Sequence, residues 1–174
     1  MSPFLSDFLA NALATGLGAI IGIPIALLIA RIVDRREERS RKRKVLSLLS
    51  EELQHSGSRL SHWQLSATKS VETGVLHAHL KDQLWRAFSD GGDLQWIRDP
   101  VILASLSRSY HLLAAAKYLC ACHFDVTHLA TSVKTIYDAG ALLVDLDDVA
   151  SSFSDAVAST TEVINRALGR GQRT

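Results

Sequence analysis

The chain has 174 residues, a hydrophobic share of 47% and a formal net charge of +1. That length holds about one domain with room for an added segment. Two cysteines make at most one Cys pair, so no four-cysteine zinc site can form, and the near-even charge means that any basic excess is local.

The first segment is the most informative. Between Asp7 and Arg31 no side chain is charged for 23 residues. As a helix, Phe8–Ala30 spans about 35 Å at ~1.5 Å per residue, enough for a hydrocarbon core of about 30 Å. Its polar members are Asn11 and Thr15, and Pro24 inside it predicts a kink. A cleavable leader would carry a basic start and a shorter apolar run; Met1–Asp7 has one acid and no base, so an uncleaved anchor is expected.

Small residues recur at every fourth position: Ala10, Ala14, Gly18, Gly22, Ala26 and Ala30. Such a track lets a second helix approach closely, which predicts self-association with a right-handed crossing.

After the span come eight bases, Arg31, Arg35, Arg36, Arg39, Arg41, Lys42, Arg43 and Lys44, against Asp34, Glu37 and Glu38. The other flank has no base. The positive-inside rule then places the C-terminal part in the cytoplasm and the N-terminus outside a cell (inner) membrane. The same bases can lie against anionic headgroups, and a nucleic-acid role is not needed to explain them. The organisation expected is a tail and transmembrane helix over 1–33, a basic juxtamembrane spacer over 34–44 and a cytoplasmic helical bundle over 45–174.

In the bundle, Leu46, Leu49, Leu53, Ser56, Leu60, Trp63 and Ala67 alternate steps of three and four, a heptad seam broken once by Ser56. No Pro or Gly separates Ala30 from Val45, so one helix can run from the span into the bundle, with Gly74 closing the region. Leu76, Leu80, Leu84 and Phe88, with Trp85 beside them, predict a second helix over 75–89. The run Asp90-Gly91-Gly92-Asp93 breaks it. A short turn anchored by Trp96 and Ile97 leads to Asp99-Pro100, a capping residue followed by a first-turn proline.

The third helix carries Leu103, Leu106, Tyr110, Leu113 and Leu119 as far as Phe124. Asp125 is expected to cap a fourth, interrupted near Gly140 and Asp145, Asp147 and Asp148. Val149, Phe153, Ala156, Thr160, Val163 and Ala167 then repeat at heptad spacing up to Gly169. Strand signals are weak. The fold class expected is all-α: a transmembrane helix continuing into an antiparallel bundle of about four helices.

The pieces "SLLSEELQHS" and "LWRAFSDGGDLQWIRDPVILASLSRSYHLL", with Trp85, Gly91, Gly92, Asp99, Pro100 and Tyr110, resemble a group of uncharacterised bacterial single-pass membrane proteins with a cytoplasmic helical domain. The resemblance covers residues 45–115 and implies no activity.

Candidate chemistry is sparse. Cys120-Ala121-Cys122-His123 resembles a metal fragment, but on a helix the two thiols point about 200° apart. Glu52-x-x-His55 and Asp125-x-x-His128 echo bundle di-metal sites, yet the extra carboxylates, Glu72, Asp82 or Glu162, have no evident inward face. His77 and His79 occupy different faces. No nucleophile elbow, phosphate loop, dinucleotide fingerprint or HExxH is present. No catalytic residue, metal or cofactor is expected. Two non-enzymatic readings compete. One is a membrane effector or channel-like homo-oligomer controlled by its cytoplasmic bundle. The other is an anchor or scaffold that recruits a cytoplasmic protein, with the acidic last helix (Asp145, Asp147, Asp148, Asp155) as its surface.

Overall fold

A computed structural model describes the backbone of residues 3–128 and 138–170, with side chains from residue 23 onward except at positions 70, 71, 128 and 170. Its contacts divide it into two compact units, Met1–Arg41 and Lys42–Thr174. The elements are α1 (Pro3–Leu65), α2 (Lys69–His79), α3 (Gln83–Asp90), a 3₁₀ turn (Asp93–Trp96), α4 (Pro100–His128) and α5 (Ala139–Arg170). The described residues are all-helical, with no strand, as the periodicity predicts.

In the first unit the helix is unbroken through Pro24. Among the described residues no helix is long and apolar enough to cross a membrane. The side chains of Ala10, Ala14, Gly18 and Gly22 lie outside the described residues. Ala26 and Ala30 are exposed, as are Arg31, Arg35, Arg36, Arg39 and Arg41.

The second unit is built on the predicted seam. Leu46, Leu49, Leu53 and Leu60 are essentially inaccessible to solvent, and Trp63 is buried with them. Each such side chain stabilises the fold by about 1.5–3 kcal/mol relative to an exposed one. Leu106, Tyr110 and Leu113 of α4 and Leu146, Phe153 and Ile164 of α5 complete the same core. α5 runs antiparallel to α1. Gln64 of α1 donates to the Asp147 carbonyl and the Ser151 hydroxyl, whereas Gly57, earlier on α1, faces Phe153 and Val157, later on α5.

Four boundaries differ from the sequence expectation. α1 ends at Leu65 rather than near Gly74, and Ala67 is exposed. The turn is fixed by Ser66 and Thr68, whose hydroxyls both donate to one Glu72 oxygen, at 2.8 and 2.7 Å. Gly74 lies inside α2 because the Phe124 ring packs there: an added Cβ would stand 2.9 Å from it.

The expected helix over 75–89 is two helices, broken at Leu80, whose backbone turns extended. Leu76 and Leu80 are buried from one helix, and Leu84, Trp85 and Phe88 pack on the core from the other.

The remaining two differences concern starts. Asp125 is an exposed residue within α4, not a cap. α5 starts instead behind Asp138, whose carboxylate accepts the Gly140 N–H at 2.8 Å, and it continues unbroken through Gly140 and Asp145–Asp148.

The other punctuation stands as read. Gly92 takes the left-handed conformation, φ 74°, that glycine adopts without steric cost. Asp99 caps α4, accepting the Val101 N–H at 3.0 Å ahead of Pro100 at the first helical position.

Candidate functional site

The polar side chains of the bundle gather where the α2–α3 corner crosses α1 and α4. Ser56 is fully buried in the leucine seam. Its hydroxyl donates to the Lys81 carbonyl at 3.4 Å and accepts the Lys81 N–H at 3.3 Å, holding both backbone groups at the corner. One turn earlier, Glu52 is buried too. One of its oxygens accepts the Leu84 N–H at 3.0 Å, and the other accepts the Tyr110 hydroxyl at 2.8 Å. The carboxylate thus satisfies a first-turn amide of α3 that has no intrahelical partner.

Tyr110 is shielded on its other side by Trp85, stacked with ring centroids 4.7 Å apart. Burial, together with the neighbouring Glu52 carboxylate, pushes the Tyr110 phenol far above its ordinary value. It is therefore a fixed donor, not an acid–base group at neutral pH.

Asp82 completes the cluster. Lys117 of α4 lies 2.6 Å from one carboxylate oxygen and Arg86 of α3 2.7 Å from the other. Burial acts to raise the Asp82 pKa, but the hydrogen bonds and charges of Lys117 and Arg86 outweigh it and hold the group below the usual carboxylate range. Asp82 does face inward, contrary to the sequence expectation; the break at Leu80 turns it toward α4. The other two carboxylates considered as metal ligands are engaged elsewhere. Glu72 accepts from Ser66 and Thr68, and Glu162 pairs with Arg166 on the surface of α5.

The expected metal fragments separate. Cys120 is buried, and burial alone pushes its thiol up to about 12, while Cys122 is half-buried; both are free thiols. His123 turns to α2, its Nδ1 2.8 Å from the Thr73 hydroxyl. Glu52 is committed to Tyr110 and Leu84 while Asp125 is exposed, so their two motifs do not converge; the His128 side chain lies outside the described residues. Among the described residues no group of three or more His, Cys, Asp and Glu side chains could hold a metal ion. His77 and His79 are exposed.

A shallow groove beside Glu52 is walled by Leu48, Glu51, His55, Lys81, Gln83 and Leu84. Of its polar side chains, Glu52 is tied to the Leu84 N–H and the Tyr110 hydroxyl. The cluster clamps three helices together. A second, buried link joins α4 to α5: the Ser109 and Thr160 hydroxyls lie 2.9 Å apart, and Thr160 also donates to the Ser105 carbonyl. Thr160 was legible only as a heptad position, and Ser109 and Lys117 carried no sequence signal.

On the last helix the acidic surface is smaller than the sequence suggests. Asp145, Asp148 and Asp155 are exposed, but Asp147 binds Lys69 at 3.0 Å. The Lys69 ammonium also lies 5.1 Å from the Trp63 ring centroid, a cation–π contact. Comparison with protein-family models, with curated proteins and with solved structures returns no match.

Proposed function

We propose that this chain is a non-enzymatic single-pass membrane protein. It self-associates through the track of Ala10, Ala14, Gly18, Gly22, Ala26 and Ala30 and acts as a membrane effector or channel-like assembly controlled by its cytoplasmic bundle. One observation carries the reading. From Ile23 to Ala30, α1 is apolar on every side, and Ile23, Ile25, Leu27, Leu28 and Ile29 are each 50–61% exposed. A helix apolar all round needs an apolar environment on every side, and this stretch continues an uncharged run of 23 residues. The bases from Arg31 to Lys44 then favour a cytoplasmic bundle.

A scaffold role is the second reading, favoured by the exposed Asp145, Asp148 and Asp155 on α5. Expression of the full chain in bacteria separates the two: an effector collapses membrane potential, read with a voltage-sensitive dye, and a scaffold leaves it unchanged. Self-association is tested by cross-linking in membranes. G18L with G22L should abolish the cross-linked oligomer while L17A leaves it intact. Recovery of the chain as a free aqueous monomer after fractionation would overturn the membrane reading and both roles.

A further inference from the structure

The membrane reading leaves open which lipid the emerging helix meets, and the charge pattern of α1 bears on that question. At about 100° per residue, Arg31, Arg35, Arg39 and Arg36 fall within an arc of roughly 140°. All four are exposed. Asp34, Glu37 and Glu38 fall outside that arc. Glu37 pairs with Arg41, one turn further along the helix, 2.7 Å away. Over residues 31–41 the bases are therefore divided: Arg31, Arg35, Arg36 and Arg39 form an acid-free face, which Lys42 and Arg43 extend in the next turn, and Arg41 sits among the acids.

The same side of the helix carries Ile25, Leu28, Ile29 and Ile32 in the preceding turns, all exposed. Read along α1, this face passes from large apolar side chains to arginines within two turns. That order matches the order of acyl chains and phosphate headgroups at a bilayer surface. Ile32 lies between arginines, and arginine stems can lie along such apolar surface while their guanidinium groups reach outward. A nucleic-acid surface would share the arginines but has no use for the apolar turns leading into them.

Building on the membrane assignment, we propose that this face of α1 is a binding surface for anionic phospholipids. Arg31, Arg35, Arg36 and Arg39 engage the headgroups, and Arg41 takes no part. Guanidinium groups suit this role because each presents a planar fork of donors to phosphate oxygens.

The test uses the full chain reconstituted in vesicles of equimolar phosphatidylglycerol and phosphatidylcholine. The protein is then isolated in mild detergent and its retained lipids are quantified by mass spectrometry. Wild type should retain phosphatidylglycerol over phosphatidylcholine by about fivefold or more, given the attraction of each base to an anionic surface. The variant R31Q/R35Q/R36Q/R39Q should fall to near parity, R41Q should keep the wild-type ratio, and high salt should erase the preference.

Parity in wild type, or equal loss in R41Q, would overturn the proposal. So would RNA binding that depends on the four arginines without any lipid preference. Flotation with vesicles of phosphatidylcholine alone tests the membrane assignment separately. A chain that floats but shows no lipid preference loses only this inference, whereas one that does not float loses both.

Discussion

The Tyr110 hydroxyl of α4 donates to the buried Glu52 carboxylate of α1 across 2.8 Å, and this bond joins two helices far apart in the chain at the centre of the bundle. Y110F removes the donor and keeps the ring stacked on Trp85. The carboxylate then stays buried with one donor fewer, which costs about 1.5–3 kcal/mol. Urea unfolding of the solubilised chain should show a lower midpoint with an unchanged slope.

Asp82 gives the bundle an acid limit. Its pKa is lower in the folded chain than in the unfolded one, where it sits near about 3.9. The stability it contributes is therefore fully present above the unfolded value and is lost as pH falls through the folded one. D82N should destabilise the protein at pH 7, because Lys117 keeps its charge without the carboxylate. It should also flatten the dependence of stability on pH below about 4. Thermal unfolding measured from pH 7 to pH 3 for both proteins checks the sign.

The buried hydroxyl pair Ser109–Thr160 predicts non-additivity. T160V leaves the Ser109 hydroxyl short of its partner and should cost about 1–3 kcal/mol. S109A alone should cost less, because Thr160 still donates to the Ser105 carbonyl. The double variant should be more stable than the sum of the single effects implies, a coupling that a double-mutant cycle reads directly.

The thiols should differ in reactivity. With its pKa pushed up to about 12 and its side chain buried, Cys120 should resist a thiol reagent at pH 8, and half-buried Cys122 should react first. Labelling of C120S and C122S before and after unfolding assigns each rate. Equal rates in the folded protein would contradict the packing described.

The helical core was legible because apolar spacing alone determines which face turns inward. Leu46, Leu49, Leu53, Leu60, Leu106, Leu113 and Phe153 were all read from periodicity and are all buried. The Asp99-Pro100 start was legible because its chemistry is local. The errors arose where a tertiary contact competes with a local signal. Gly74 reads as a helix stop, yet it gives Phe124 room inside α2. Leu80 and Leu84 keep helical spacing across a break imposed by the hydrogen bonds of Ser56 and Glu52. The clamp itself was hidden for the same reason: Ser56, Glu52, Asp82, Lys117 and Tyr110 are scattered along the chain, and only the packed corner unites them.

Ser56 interrupts an otherwise leucine-rich stripe, and its hydroxyl meets both backbone groups of Lys81. Leucine against leucine is forgiving: a helix displaced lengthwise by a turn finds much the same greasy surface again. A hydroxyl that must reach one particular amide and one particular carbonyl offers no such second choice. The chain accepts a less oily interior at this spot and gains an alignment that admits one arrangement of its helices.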